Sequence, residues 1–188
     1  SLELLLKKDP LPEDWHEDTQ RGLEIITTRS DNLSRFMASY ARLAKLPRPE
    51  LRDVDLKSLL SHIAHLETRK VVRLLDGPEI ILHADREQVE HLFINLVRNA
   101  VDATGSSDGE VEISWIRNGS QVEISVLDEG LGLSNTANLF VPFFTTKPGG
   151  SGIGLVLSRQ IAEAHGGSLS LTNRSDRVGC EAKLILPL

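Results

Sequence analysis

From Glu13 to Ala44 a mostly apolar pattern recurs every seven residues: Leu23, Ser30, Met37 and Ala44 fall in one series, and Ile26, Leu33 and Tyr40 in a second, three places later. Such an a/d seam predicts a long amphipathic helix that wants a partner helix, with Arg21, Glu24, Arg29, Asp31, Arg35 and Arg42 on its other faces. The alternative is a lone helix packed on its own domain, but a helix of about 30 residues at ~1.5 Å per residue outreaches a small domain. Ser1 to Lys8 (Ser-Leu-Glu-Leu-Leu-Leu-Lys-Lys) reads as the end of the partner helix, and Asp9-Pro10-Leu11-Pro12 as the turn between the two.

The pattern changes at Leu46-Pro47-Arg48-Pro49, where two prolines forbid helix and favour an extended linker. Beyond it the chain reads as mixed α/β. Asp55 caps a helix to about Glu67. Two short β runs, Lys70 to Leu74 and Glu79 to Leu82, flank the turn signal Asp76-Gly77-Pro78 and predict a hairpin. Asp85 with Gln88 makes a capping-box pattern and opens a helix through Ala103. Val111 to Ile116 and Val122 to Leu127 alternate around Asn118-Gly119 as a second hairpin. A glycine-rich stretch then leads to a helix from about Gly152 to Ala164 and two strands, Ser168 to Thr172 and Ala182 to Leu186.

Composition narrows the function. The 188 residues carry 27 acidic and 21 basic side chains, a formal charge of −6, which argues against nucleic acid as the main partner, since phosphate backbones need a concentrated basic face. The single cysteine, Cys180, has no partner for an internal disulfide, and no Cys/His cluster has zinc spacing. No apolar run approaches the ~20 residues that span a bilayer, and no basic-then-apolar leader is present, so no membrane contact is expected within this segment. Aromatics are scarce, with five Phe, two Trp and one Tyr. Once Phe140, Phe143 and Phe144 are set aside as one cluster, and Trp15, Phe36 and Tyr40 as part of the long helix, only Phe93 and Trp115 remain for the α/β core.

Three groups of residues carry chemistry. Asn95 and Asn99 project from one helix face on successive turns, opposite Leu92, Leu96 and Val97. Asn is a poor helix-interior residue, so two on one face suggest a ligand or a metal to satisfy them, against the plain alternative of surface amides. Asp128-Glu129-Gly130-Leu131-Gly132 ends a strand with an acid and two glycines, a turn in which backbone comes close to a ligand, or an ordinary strand-end turn. Finally, Phe140-Val141-Pro142-Phe143-Phe144-Thr145-Thr146-Lys147 is followed by Gly149-Gly150-Ser151-Gly152-Ile153-Gly154-Leu155, where glycines run straight into a helix whose free N–H groups attract phosphate. Lys147 and the hydroxyls of Thr145 and Thr146 add phosphate contacts. Neither a P-loop nor a dinucleotide fingerprint fits.

The order N-x-x-x-N-A, D-x-G-x-G, F-x-P-F-F-T-T-K, G-x-G-x-G-L resembles the nucleotide-binding domain of sensor histidine kinases, within the gyrase/chaperone/histidine-kinase ATPase superfamily. Arg-Leu-Ala-Lys-Leu-Pro at the end of the long helix, with Val54-Asp55-Leu56 after it, resembles the nitrogen-regulation type of kinase. The resemblance implies an α+β fold, a two-layer α/β sandwich preceded by a long dimerisation helix. Residues 1–46 would be the C-terminal part of the dimerisation and histidine-phosphotransfer hairpin, 47–54 a linker, and 55–188 the catalytic ATP-binding domain. It implies ATP and Mg²⁺, with Asn99 holding the metal and Asn95 lining the pocket. Asp128 would accept the adenine amino group, while Gly130 and Gly132 let the base approach. Lys147, Thr145, Thr146, Gly150, Ser151, Gly152, Gly154 and Leu155 would form the phosphate lid, rooted on the three phenylalanines, with Asn99 and Lys147 the catalytic pair.

Two departures stand out. Where such kinases often carry Gly-Thr in the penultimate strand near adenine, this chain has Gly179-Cys180. Where the superfamily's ATPases carry a water-activating Glu, it has Asn95, which fits a kinase and disfavours a gyrase- or chaperone-like ATPase. A serine kinase of the anti-sigma type shares the pocket but usually lacks the helical hairpin, and intact motifs weigh against a non-binding scaffold. Of six histidines, His16 precedes an acid but sits at the start of the second helix without the expected proline, and His62, His65, His83, His91 and His165 fall in the catalytic part. The acceptor histidine is therefore expected upstream of Ser1, and the chain is expected not to label itself with phosphate. The resemblance further implies a homodimer through the helical hairpin, a response-regulator receiver domain as partner, and a cytoplasmic location.

Overall fold

The computed structural model describes residues 15–44, 46–105, 109–134, 138–147 and 150–188, and the chain divides into two compact units, Ser1–Lys45 and Leu46–Leu188. In the first, α1 (Trp15–Ala44) realises the long amphipathic helix, with Glu17 and Asp18 complementing the positive end of its dipole. The seam residues Leu23, Ile26 and Met37 are each more than half exposed, as is Ile25. The expected partner segment, Ser1 to Lys8, lies outside the described residues. Among the described residues no helix is long and apolar enough to cross a membrane.

The second unit runs β1 (Arg52–Asp55), α2 (Leu56–Leu66), β2 (Val72–Leu74), β3 (Ile81–Ala84), α3 (Arg86–Thr104), β4 (Val111–Asn118), β5 (Gln121–Asp128), α4 (Gly154–Ala164), β6 (Ser168–Asn173) and β7 (Cys180–Pro187). A five-stranded sheet has the order β2-β4-β5-β7-β6, and β1 pairs with β3 in a small two-stranded sheet. Strand alternation builds one buried face from Val111, Ile113 and Trp115 on β4, Val122, Ile124 and Val126 on β5, and Ala182, Leu184 and Leu186 on β7. The opposite face carries Glu112, Ser114, Glu123, Ser125, Glu181 and Lys183. Against the apolar face lie Leu92, Phe93, Leu96 and Val97 of α3 and Leu157 and Ile161 of α4, while α2 adds Leu56, Leu59, Leu60 and Ile63. One apolar sheet face covered by helices is the two-layer sandwich. Phe93 and Trp115 are both buried in this core, as the aromatic inventory required.

One predicted hairpin does not form. β2 pairs in parallel with β4, whereas β3 pairs antiparallel with β1, so the segment around Asp76-Gly77-Pro78 crosses from one sheet to the other. The cause lies in Trp115. Leu75 N–H donates to Ile113 O at 2.9 Å and prolongs the parallel pairing, Gly77 lies so close to the indole that an added Cβ would sit 2.6 Å from Trp115 Cε2, and Trp115 Nε1 donates to Pro78 O at 2.8 Å. Pro78 has no N–H for a hairpin ladder. A local turn signal loses here to a long-range aromatic contact.

The capping box at Asp85 is half made. Asp85 Oδ1 accepts from Gln88 N at 3.1 Å, but Gln88 Nε2 donates instead to Pro47 O in the linker at 3.1 Å, and Asp85 N–H donates to His165 Nε2 at 3.0 Å. Because Nε2 accepts, the other ring nitrogen carries the proton and donates to Ile161 O at 2.8 Å. The buried His165 thus ties the C-terminus of α4 to the N-terminus of α3, a structural role.

Candidate functional site

Strand periodicity explains why a carboxylate lies deep beside the core. Asp128 continues the inward row Val122, Ile124, Val126 on β5, and at 5% exposure it is the last member of that row. Two backbone N–H groups converge on its Oδ1, Gly130 N at 2.9 Å and Cys180 N at 3.2 Å, so that Oδ2 is outside both bonds. Burial pushes its pKa upward, against the lowering effect of those hydrogen bonds and of the charges on Arg174 and Lys147. Cys180 lies beside it because β7 runs antiparallel to β5, and burial pushes its thiol up to about 12, which keeps it protonated. Cys180 opens β7, the last strand along the chain, which lies between β5 and β6 in the sheet.

Asp128 and Cys180 form part of the wall of a cavity of about 770 Å³. Its other walls come from Asn95, Asn99 and Asp102 on α3, from the loop after β5, from Thr145, Thr146 and Lys147, and from Gly150, Ser151, Gly152, Gly154 and Leu155 at the start of α4. Every residue expected to contact the nucleotide lines it except Gly130, and of the three phenylalanines at the lid root only Phe144 does. That glycine has a different task, since a Cβ there would meet Ala103 O at 2.5 Å: it lets the turn pass under the end of α3. Gly132, with a positive φ of 74°, does line the cavity and packs on Asn173.

The two asparagines have separate partners. Asn95 Nδ2 donates to Ser158 Oγ on α4 at 2.8 Å, and a Cβ on Gly154 would collide with Asn95 Oδ1, so Asn95 seats the first turn of α4 against α3. Asn99 Oδ1 accepts from Lys147 Nζ at 2.9 Å, and the same ammonium donates to Asp102 Oδ2 at 2.9 Å. Burial works to raise the Asp102 pKa, but hydrogen bonds from Lys147 and Arg69 outweigh it and hold the carboxyl below its usual range. Lys147 remains 42% exposed while Asp128 is buried, so the cavity runs from a buried acid to a solvent-facing cation.

The glycine-rich entry to α4 leaves its amides open. The N-cap residue, Ile153, makes no side-chain cap, so the first-turn N–H groups, at the positive end of the dipole, have no capping side chain. Phe143 holds a positive φ of 68°, and its N–H donates to Gly152 O at 2.9 Å, which closes the loop between them. Positive φ is costly for a bulky side chain, and a ring closed by Gly152, itself at φ 64°, sustains it. Thr145 Oγ1 accepts from Lys147 N at 3.1 Å, so that hydroxyl shapes the loop, and Arg159 of α4 stacks on the Phe140 ring at 5.0 Å.

Asp102 and Asn173 join this site without having been singled out in the sequence. Asp102 follows Asn95 by seven residues and Asn99 by three, a helical-face spacing that was available to find it. Asn173 grips the loop after β5 with both ends of its amide, Oδ1 accepting from Leu133 N at 2.6 Å and Nδ2 donating to Leu133 O at 3.1 Å. No local pattern marks that contact, which spans 40 residues of chain.

As to a metal, no group of three or more His, Cys, Asp or Glu side chains forms a metal cage among the described residues. The donor set present is a different one, the neutral oxygen of Asn99 with a carboxylate oxygen of Asp102 beside it, both already bound to a cation, the Lys147 ammonium. That suits Mg²⁺, which is usually held by one or two protein oxygens together with phosphates and water.

Known proteins resemble this chain in sequence and in fold. The chain is 28% identical over 174 residues to the sensor histidine kinase ZraS of Escherichia coli (strain K12), a match covering 88% of this chain and 37% of ZraS. It is 30% identical over 179 residues to the signal transduction histidine-protein kinase AtoS of the same organism, covering 90% of this chain and 29% of AtoS. It therefore spans about a third of the length of these two relatives. Its fold is similar to histidine kinase ThkA, solved in complex with the response regulator protein TrrA, with a TM-score of 0.70 and 25% identity over 99% of this chain and 55% of that one. A family model matches residues 84–188, from the end of β3 to the last residue, and includes every candidate site residue. The chain belongs to the histidine kinase-, DNA gyrase B-, and HSP90-like ATPase family.

Proposed function

We propose that this chain is the ATP-binding catalytic part of a sensor histidine kinase, and that it delivers the γ-phosphoryl group to a histidine outside the segment, whence it passes to a response-regulator receiver domain. The polarity of the cavity carries this reading. A buried acceptor with one free oxygen suits the exocyclic amine of adenine, and open helix amides with an exposed lysine suit a triphosphate. Asp128, held by Gly130 N and Cys180 N, orients Oδ2 for the base. Asn99 would hold Mg²⁺, which neutralises phosphate charge when bound. Lys147 and the amides at Gly152 to Leu155 would hold the phosphates, and Asn95 keeps that helix start in place.

Hydrolysis is the poorer reading. Only two carboxylates line the cavity among the described residues, Asp102 and Asp128. The first is paired with two cations and the second with two amides, so neither is a ready base for water. The nitrogen-regulation subtype is supported by the Arg42-to-Pro47 sequence. A homodimer is supported by the exposed seam of α1, which also weighs against a serine kinase of the anti-sigma type. The ThkA complex with TrrA supports a receiver-domain partner, and a cytoplasmic location accords with both.

Two measurements test the proposal. Calorimetric titration should give saturable binding of ATP and much weaker binding of GTP. Incubation with labelled ATP and Mg²⁺ should leave the chain unlabelled, with transfer restored by a fragment carrying the first hairpin helix. Stoichiometric acid-labile label on the isolated chain, or steady-state phosphate release abolished by Asn95→Ala, would overturn it.

A further inference from the structure

Lys147 is held by a line of charges that reaches well beyond the cavity. Asp102 Oδ2 accepts from Lys147 Nζ at 2.9 Å, and Asp102 Oδ1 accepts from Arg69 Nη1 at 2.7 Å. The same guanidinium forks onto Glu67, with Nε on Oε1 at 3.0 Å and Nη2 on Oε2 at 2.8 Å, and Arg69 N–H adds a further bond to Oε1 at 2.8 Å. Glu67 is the fixed end, with its side chain only 7% exposed. Signs alternate along Glu67, Arg69, Asp102 and Lys147, so every interior member lies between opposite charges. Three separate parts of the fold meet in this line: the loop after α2, the last turn of α3, and the loop before α4.

We propose that Asp102 and Arg69 are positioning residues for Lys147, and that in the nucleotide-free protein they latch the lid lysine over Asn99 until phosphate draws it away. Geometry makes the latch specific. Arg69, itself fixed by its fork on Glu67, holds one carboxylate oxygen of Asp102 and leaves the other aimed at the lysine, whereas a carboxylate without that bond would rotate more freely. Lys147 donates to Asp102 and to the oxygen of Asn99 at once, so the latched ammonium covers the oxygen that a metal would use. A phosphate carries more charge than the carboxylate it displaces, which gives exchange its direction. The inference rests on the nucleotide reading, but the latch itself belongs to the empty protein and is testable there.

The test is amide hydrogen exchange of residues 138–147 and 150–153 in the nucleotide-free 188-residue chain, combined with ATP affinity in EDTA. Exposed or half-exposed ion pairs are weak, so Asp102→Asn should speed lid exchange only about twofold to fivefold and tighten ATP by a similar factor. Lys147→Met should speed exchange equally but weaken ATP, and the double variant should match Lys147→Met in both readouts, because the two side chains act as one unit. Arg69→Gln should shift exchange in the same direction as Asp102→Asn, and thermal melting establishes that each variant is folded. Unchanged lid exchange in both Asp102→Asn and Arg69→Gln would overturn the latch. So would tighter ATP binding on Asp102→Asn that persists in the Lys147→Met background, since simple charge repulsion would then account for it. A chain that binds no ATP would instead sink the proposed function and leave the exchange result to judge the latch.

Discussion

Replacing Asp128 by asparagine should separate the cost of this residue to the fold from its value to the nucleotide. Asn keeps an oxygen for Gly130 N and Cys180 N, at 2.9 and 3.2 Å in the wild type, but turns the free carboxylate oxygen into an amide NH2, which donates and cannot accept from adenine. A hydrogen bond to a charged group contributes about 1.5–3 kcal/mol, so ATP affinity should fall about 10- to 150-fold. Stability should move the other way. Burial raises the folded-state pKa of Asp128 above its unfolded value, so its contribution favours folding below the unfolded pKa of about 3.9 and is lost as pH rises through the folded value. At neutral pH the ionised group therefore weakens the empty domain, and Asp128→Asn should melt higher at pH 7 with little gain below about pH 4. Asp128→Ala provides the contrast, because it strands two buried amide donors at about 1–3 kcal/mol each and should melt lower. Calorimetry for binding and thermal melting across pH make the comparison. Unchanged ATP affinity in Asp128→Asn, or a lower melting temperature at pH 7, would refute the reasoning.

Further outcomes follow from single contacts. Gly154→Ala forces a Cβ into Asn95 Oδ1 and should cost about 1–3 kcal/mol by denaturant titration, with much of the loss recovered in Gly154→Ala/Asn95→Ala. Asn173→Ala removes both bonds to Leu133 on an exposed surface, so nucleotide affinity should fall by about 1 kcal/mol, roughly fivefold, while global melting barely moves. Cys180, buried with its thiol pushed up to about 12, should resist a thiol-specific reagent at pH 8 until the domain unfolds; rapid labelling of the native chain would contradict that burial. The Lys147–Asp102 pair should loosen in acid, because a depressed carboxylate pKa supports the pair above the unfolded value of about 3.9 and loses it as pH falls through the folded one. Lid hydrogen exchange corrected for intrinsic pH dependence should accordingly rise on acidification.

Periodicity made the main elements legible without coordinates. The heptad series of α1, the Asp55 and Asp85 caps, the β4–β5 turn at Asn118-Gly119 and the inward row of each long strand are all local patterns, since 3.6-residue and two-residue repeats place side chains by backbone geometry alone. The Asp76-Gly77-Pro78 turn was misleading for a converse reason: Trp115, almost 40 residues away, supplies the contact that carries the segment across to the small sheet.

For the site, the residue types in order were enough to indicate a nucleotide pocket, because glycines before a helix, a strand-end acid and helix-face asparagines each carry their own chemistry. What each residue touches was decided only in three dimensions. Asn95 clamps α4, Gly130 clears the end of α3, Thr145 shapes its own loop, and Asn173 holds a segment 40 residues earlier, none of which follows from spacing. Asp128 received its second amide and its neighbouring thiol only when β7 folded back along β5, and Asp102 gained Lys147 and Arg69 as partners only when two distant loops packed on α3. Local sequence determines which backbone forms and which face is apolar, while partners distant in the chain are chosen by how those faces pack.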